Sequence, residues 1–342
     1  MRKPRRWLPP KLVSRQPAKE GAIAKSTLLV DGKEIAISNP GKVLFPDDGI
    51  TKGDLVDYYH RIADRMLPLV RDRPLHMNRY PDGIGGIAIQ QKRVPDSFPA
   101  WIERVTVDLH KGGTITHAVI DNTATLVYLA NYNMVTAHVW LSRIQAPEQP
   151  DLVIFDLDPS GDDFGLVRRT ALSLKVMLEE LQLIPFVKTT GSRGLHVVVP
   201  VVVDPNFETA HLFADHVAQR LAAGDPEHLT TEFIKQKREG RLFIDVNRNA
   251  YAQTVVAPYA VRARRGAPVA VPIGWSDVES DALRPDGITI GNVWSWMEQH
   301  DDPWKVMERS RRPLPPLDES AQPDRSGRRR GVPRKARAQK AE

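Results

Sequence analysis

The stretch DLVIFDLDPS, Asp151 to Ser160, decides the reading of this chain. Leu152, Val153, Ile154 and Phe155 form a short apolar run, the mark of a buried strand. Asp156 and Asp158 interrupt it two residues apart. Alternate strand residues share a face, so both carboxylates point the same way, roughly 6–7 Å apart at the Cα. Leu157, between them, turns back into the core. Pro159 and Gly161 end the strand and leave the acids at its exit. Two like charges so placed repel each other and resist burial without a cation. Two readings stand: a divalent-metal site, since hard carboxylate oxygens suit Mg²⁺ or Mn²⁺, or a strand end whose acids are solvated.

Three other stretches bear on that choice. KTTGSRGLH, Lys188 to His196, lies between two apolar runs. Gly191 and Gly194 permit positive φ and close backbone approach, and Ser192, Arg193 and free backbone N–H groups can cradle a phosphate. It reads equally as a hairpin loop followed by a satisfied strand histidine, His196. RLFIDVNRN, Arg241 to Asn249, puts Asp245 inside an apolar strand, where a lone charge is expensive. A third carboxylate meeting Asp156 and Asp158 would complete a two-metal site for in-line phosphoryl displacement. In APYAVRARR, Ala257 to Arg265, Arg262 and Arg264 alternate on a segment read as extended and so share a face. Paired guanidiniums suit a triphosphate; solvated arginines on an edge strand are the other reading.

Residues 26–38 carry a hairpin signal with Asp31-Gly32 at the turn. Asn39 to Asp48 reads as a loop bearing Lys42. Thr51, with Asp54 three residues on, caps an amphipathic helix to about Leu67. Short strands are predicted at 74–80, 86–92, 104–109, 114–120 and 135–140, with a helix over 123–131. Beyond the Asp156 strand, helices are predicted at 164–181, 207–222 and 292–299, and strands at 185–188, 195–203 and 241–246. From about Arg311, Pro, Arg and Ser dominate and order fades. Mixed strands and helices with an Asp-x-Asp edge indicate an α/β or α+β sheet domain.

The 342 residues and 41% hydrophobic content suffice for a substantial core. The absence of Cys excludes disulfides and thiolate metal sites, and a reducing cytoplasm fits. No apolar run approaches the ~18 residues of a membrane helix, and no apolar segment follows the basic N-terminus as a secretory signal would require. The net charge of +6 is uneven. Of the 48 Lys/Arg, seven lie in residues 1–19 and eight in 325–342, leaving 33 against 41 acidic side chains between them. The ends read as solvated, disordered arms that either hold polyanions through salt-sensitive contacts or merely solubilise.

Together these pieces are far more specific than any one. The chain resembles the polymerase domain of bacterial end-joining DNA ligase D, a branch of the archaeo-eukaryotic primase superfamily. The resemblance runs in order over roughly residues 35–300. It rests on KVLFP at 42–46, TKGD at 51–54, RYPDG at 79–83, QK at 91–92 and AHVW at 137–140. FDLDP at 155–159, GSRGLH at 191–196, FIDVNRN at 243–249 and APYAVRAR at 257–264 complete it.

That likeness implies an α+β primase-like fold, with an RRM-like catalytic palm and an N-terminal α/β subdomain. The domain would span 26–305, between a basic arm at 1–25 and a basic tail at 311–342. It implies template-directed nucleotidyl transfer with two Mn²⁺ or Mg²⁺ ions and a preference for NTPs over dNTPs. Asp156, Asp158 and Asp245 fall on the family's metal ligands. Ser192, Arg193 and Arg262 fall where the family holds the triphosphate, with His196 in the same motif and Arg238 on another basic contact; Arg264 joins them through its alternation with Arg262, and His138 falls on the histidine contacting the incoming nucleotide. Lys42 and Lys52 match the pair gripping a downstream 5′-phosphate. Arg79, Gln91 and Lys92 fall among template contacts.

Four positions depart from the pattern: Asn78 replaces a family lysine, Ile89 and Gln90 replace paired aromatics that stack on template bases, and Arg248, three after Asp245, replaces a frequent Gln and adds positive charge near the nucleotide. No Lys-x-Asp-Gly nucleotidylation motif occurs, so a stand-alone polymerase is expected, relying on a separate ligase and repair proteins. Gapped or broken DNA, a cytoplasmic, nucleoid-associated setting and no membrane are expected with it. A haloacid-dehalogenase-like phosphatase, with Asp156 as nucleophile, would want Thr or Val where Ser160 stands. A non-catalytic DNA-end-bridging protein would use Lys42, Lys52 and the arms but not the aspartates.

Overall fold

The computed structural model describes residues 26–109 and 112–316; the arms predicted at 1–19 and 325–342 lie outside them. The chain opens with the predicted hairpin, β1 (Ser26–Val30) and β2 (Lys33–Ile37). Asp31 and Gly32 both take positive φ, as its two-residue turn demands. The stretch read as a loop holds a second ribbon, β3 (Val43–Phe45) and β4 (Ile50–Thr51). It is too short to stand out among turn residues. Thr51 and Asp54 form the predicted capping box on α1 (Lys52–Arg61). The single helix expected to Leu67 is interrupted at Ile62, and α2 (Ala63–Val70) follows with Pro68 inside it.

Then come β5 (Leu75–Arg79), β6 (Ile89–Gln91), β7 (Arg104–Asp108), β8 (Thr114–Ala118), α3 (Thr123–Asn131) and β9 (Met134–Trp140). The second half runs β10 (Leu152–Asp158), α4 (Phe164–Glu180), β11 (Phe186–Thr189), β12 (Leu195–Pro200), α5 (Phe207–Gly224), β13 (Leu229–Thr230) and β14 (Leu242–Asp245). It closes with β15 (Thr254–Val256), β16 (Pro272–Ile273), α6 (Trp275–Glu279) and α7 (Val293–Gln299). The strands β13, β15 and β16 and the helix α6 escape sequence reading. Two or three residues make no pattern, and tertiary pairing alone fixes them.

Two sheets form the body. One has the order β13-β14-β10-β12-β11-β16, the other β15-β9-β5-β6. Within the first, β10-α4-β11-β12-α5-β14 is a split βαβ unit with all four strands antiparallel, the RRM-like palm expected from the sequence. Along β10, Val153, Phe155 and Leu157 face α4 and α5 and join the main core. The even-numbered residues face the other way. There, Ile154, Phe186 and Val198 pack with Leu141, Val255, Trp304 and Met307. The face between the sheets is thus apolar at one end, while Asp156 and Asp158 occupy the other.

Asp151, at the head of β10, is 1% exposed and sits among three guanidiniums. Arg73 donates both Nη atoms at 2.7 and 2.8 Å, Arg143 donates Nε at 2.9 Å, and Arg311 donates Nη2 at 2.9 Å. Burial pushes the carboxyl up, and the arginines outweigh it and hold it below the usual range. Arg311 and Arg312, read from sequence as the start of a disordered tail, are therefore tied down. Arg312 also bridges Val201, and its carbonyl accepts from Val202 at 3.0 Å. At the other end of β10, a Cβ at Gly194 would lie 2.0 Å from the Leu157 carbonyl oxygen, so the β11–β12 turn reaches the strand only without a side chain.

Asp151→Asn leaves buried Arg73 and the part-buried Arg143 and Arg311 around a neutral amide and is expected to cost about 3–5 kcal/mol. A loss below ~1 kcal/mol in urea denaturation would show the cluster to be dispensable. Gly194→Ala is expected to cost about 3 kcal/mol or more by overpacking. Gly161→Ala meets nothing within 4 Å and serves as the near-neutral control; equal denaturation midpoints for the two would refute the close approach.

Candidate active site

Strand register builds the site. Asp156 pairs with Asp245 across β10–β14 and with His196 across β10–β12, while His196 pairs with Lys188 across β12–β11. Directly opposed residues in an antiparallel ladder project to one face. Asp245, Asp156, His196 and Lys188 therefore form one row over four strands, with Asp158 on the same face of β10. Asp245 stands directly opposite Asp156, on the face that also carries Asp158.

Side chains offset the charge repulsion in this row. His196 Nε2 lies 3.3 Å from Asp156 Oδ1. Asp158 is held by Arg193 Nη2 at 3.1 Å and Arg238 Nη1 at 3.4 Å. Asp245 accepts from the backbone and side-chain nitrogens of Asn247 at 2.9 and 2.8 Å, with Arg248 Nε 3.7 Å away. Burial pushes Asp156 up, but His196, Arg248 and Lys188 bring its pKa below the ordinary value. Among the described residues, no three His, Asp or Glu side chains already close on one point as a metal cluster. The donor set nonetheless fits a hard divalent cation: three carboxylates on one face, each now engaged by groups a metal would replace or adjoin.

The second sheet supplies the opposite wall. His138 pairs with His76 across β9–β5, and Asn78 with Gln90 across β5–β6. All four line a cleft of about 260 Å³, facing Asp156, His196, Arg248 and Arg262. Its walls are short of partners. His76 Nε2, Asn78 Oδ1, His138 Nδ1 and His196 Nδ1 are buried without a hydrogen bond among the described residues, as is Lys188 Nζ, next to His196 in the row but outside the cleft lining. Groups left so are costly unless a ligand or water meets them. Burial, reinforced by the charge of Lys92, pushes His76 down to about 4. Burial and the Arg262 charge hold His138 well below its usual value. Both rings are therefore neutral at pH 7.

Arg262 and Arg264 do not share an extended face. Arg264 N–H donates to the Arg262 carbonyl at 2.8 Å, and Val261 bridges Val269, so the segment folds back on itself. Gly266 and Ala267, both at positive φ, lie in that fold. The two arginines instead flank the 191–193 turn from two sides. Arg262 enters the cleft, packed where a Gly191 Cβ would meet its Cγ at 2.8 Å. Arg264 donates to Ser192 Oγ at 3.0 Å and joins Arg193 and Arg284 around a neighbouring cavity of about 550 Å³ at the start of α4.

Lys42 and Lys52 are brought together by the β3–β4 ribbon, where Lys52 N–H donates to the Lys42 carbonyl at 2.8 Å. Lys52 Nζ donates to Ser38 Oγ at 2.8 Å, and burial and the Lys42 charge push its pKa down to about 8. Lys42 Nζ stands 3.6 Å from Asp82. Arg79 donates to Gln91 at 2.7 Å and lies 3.6 Å over the Tyr132 ring; Lys92 follows at the end of β6. Ile89 is exposed.

Sequence reasoning missed His76, although the alternation Leu75-His76-Met77-Asn78 puts it on the same face as Asn78. It also missed Asn249, whose amide accepts from Ile154 N–H at 2.8 Å and donates to its carbonyl at 2.7 Å. No local pattern announces that contact.

The family described as "LigD, primase-polymerase domain" matches residues 51–304. The multifunctional non-homologous end joining protein LigD of Mycobacterium bovis is 33% identical over 261 residues, covering 74% of this chain and 34% of that protein. The bifunctional non-homologous end joining protein LigD of Bacillus subtilis is 29% identical over 254 residues, covering 74% of this chain and 40% of its own length. The chain thus spans about a third to two-fifths of these relatives. Among solved structures, the polymerase domain from Mycobacterium tuberculosis ligase D in complex with DNA superposes with a TM-score of 0.76 at 30% identity, covering 81% of this chain and 99% of that one. Fold, row of carboxylates and matched sequence agree: the chain belongs to the LigD primase-polymerase domain family and has its archaeo-eukaryotic primase-like fold.

Proposed function

We propose that the chain is a template-directed nucleotidyltransferase of DNA end joining. It adds nucleotides to primer 3′ ends at short gaps or broken ends that carry a 5′-phosphate. The observation that carries this reading is the register that sets Asp156, Asp158 and Asp245 on one face, opposite a wall of unsatisfied polar groups. Asp156, Asp158 and Asp245 would hold two Mn²⁺ or Mg²⁺ ions, which in such a site stabilise both the attacking and the leaving oxygens of a phosphoryl transfer.

The chain's own groups do the rest. Arg262, from the cleft, and Ser192, Arg193 and Arg264, from the adjoining turn, grip the triphosphate by charge-assisted hydrogen bonds. Arg238 and Arg193 hold Asp158 until substrate arrives and then turn to phosphate oxygens, and Arg248 adds charge beside Asp245. His196 orients Asp156. Neutral His138, its Nδ1 unpaired, meets the sugar of the incoming nucleotide and so favours NTPs through the 2′-hydroxyl. Lys42 and Lys52 take the 5′-phosphate. Arg79, Gln91 and Lys92 contact the template. A separate ligase and other repair proteins complete the joining, in the cytoplasm at the nucleoid. No described helix is long and apolar enough to cross a membrane.

The test is primer extension on a short-gapped duplex with Mn²⁺. The unmodified protein is expected to fill the gap, stop at the 5′-phosphate and use NTPs better than dNTPs. Asp156→Asn, Asp158→Asn and Asp245→Asn are each expected to abolish incorporation while DNA binding persists. Turnover retained by a purified variant would remove that carboxylate from the metal set. DNA binding with no extension by the unmodified protein would favour end bridging instead. Lys42→Ala with Lys52→Ala is expected to erase the preference for phosphorylated gaps. Equal use of phosphorylated and unphosphorylated gaps by the unmodified protein would refute the lysine assignment.

A further inference from the structure

The cleft joins two unlike walls. Asp156, Arg248 and Arg262 charge one of them, whereas among the described residues the second sheet adds no Lys, Arg, Asp or Glu to the lining. On that second wall His76 and His138 stand directly opposite each other across β5–β9. Their ring centroids are 5.9 Å apart and their planes lie 42° from each other. Each ring carries one buried nitrogen with no partner among the described residues, Nε2 in His76 and Nδ1 in His138. His76 itself is 9% exposed. A hydroxyl is the small group that satisfies two imidazoles at once, accepting from one ring and donating to the other. Two such bonds meeting at one oxygen set their nitrogens roughly 4.5–5 Å apart, which is the scale of the ring separation.

Charge sorts a nucleotide between these walls. The triphosphate belongs with the arginines, so the second sheet faces base or sugar. In templated synthesis the edge of the base must stay free to pair with the template, and fixed protein groups reading it would favour one base over the others. The sugar is common to all four nucleotides. We propose that His76 is a specificity residue which, together with His138, brackets the 2′-hydroxyl of an incoming ribonucleotide. The inference rests on the functional reading above and adds to it a second group that tells ribose from deoxyribose. A site built to hydrogen-bond a hydroxyl rejects the analogue that lacks it, because the buried polar groups are then left unpaired. Two rings sharing one hydroxyl make that rejection depend on both, and neither ring alone accounts for it.

Calorimetric titration of ATP and dATP tests this, with Mn²⁺ and a gapped duplex whose primer ends in a 3′-dideoxynucleotide, so that binding is read without turnover. The unmodified chain is expected to bind ATP at least about tenfold more tightly than dATP. His76→Leu, which removes both ring nitrogens, is expected to lose about tenfold in affinity for ATP and to stay within about twofold for dATP. In a His138→Leu background, His76→Leu is expected to lower the remaining preference no further, since the two rings share one contact. On an extendable primer the NTP-over-dNTP ratio of kcat/KM should fall by about tenfold in His76→Leu. Equal affinity of the unmodified chain for ATP and dATP overturns the proposal. So does a loss in His76→Leu that is the same for both nucleotides, the result a purely structural histidine would give. If His76→Leu does not fold, His76→Phe, which keeps a ring without nitrogens, is judged by the same ratio. An unmodified chain that prefers ATP but extends no primer counts against the functional reading alone; one that binds neither nucleotide removes both.

Discussion

Everything at this site depends on one register. Because side chains alternate along a strand, sliding β10 by one residue would carry Asp156 and Asp158 into the helix-covered core and turn Phe155 and Leu157 to the cleft. The sequence resists that slip by hydrophobic pattern, and the structure adds fasteners at several heights. Asn249 clips both backbone groups of Ile154. The Asp151–arginine cluster anchors the head of the strand to Arg73 and Arg143, which flank β5 and β9, and to Arg311 of the C-terminal segment. Gly194 lets the β11–β12 turn close on Leu157. Only with all of these in place does Asp245 arrive opposite Asp156, where two carboxylates repel and neither gains by being there.

That repulsion explains the guanidiniums. Each acid in the row faces a cation or a donor: Asp156 His196, Asp158 two arginines, Asp245 an amide and a third arginine. Arg193 and Arg248 also line the cavities assigned to phosphate. Under the proposed function, phosphate would compete for these guanidiniums, and the carboxylates would be left to hold a divalent ion. In the free protein the same contacts keep three buried or half-buried acids from destabilising the fold.

Much of this was legible in sequence. The Asp-x-Asp spacing, the Thr51–Asp54 cap, the Asp31-Gly32 turn and the helices of the palm are local patterns whose physics is complete within a few residues. The meeting of Asp245 with Asp156 needed the family resemblance as well, since nothing local pairs strands ninety residues apart. What failed was what depends on distant contacts. Arg262 and Arg264 alternate in sequence, but a fold back at Gly266 and Ala267 sends them to different cavities. The β3–β4 ribbon that joins Lys42 to Lys52 is too short to announce itself. Arg311 looks like the start of a charged tail until Asp151 is seen waiting for it.

The unsatisfied atoms are the part no sequence could show. A buried His, Asn or Lys is ordinarily paired, and five without a partner among the described residues, four of them lining one small cleft and the fifth, Lys188, in the same cross-strand row, run against the general rule of satisfied interiors. Random imperfection would scatter them, whereas among the described residues only Asn133 Oδ1 and Arg311 Nε share their condition elsewhere. Polar groups of a nucleotide or a template strand seated in the cleft would meet the four atoms that line it, which is how buried donors and acceptors are ordinarily satisfied. The same row of strands that aligns the carboxylates thus also aligns the groups that would face what they act on.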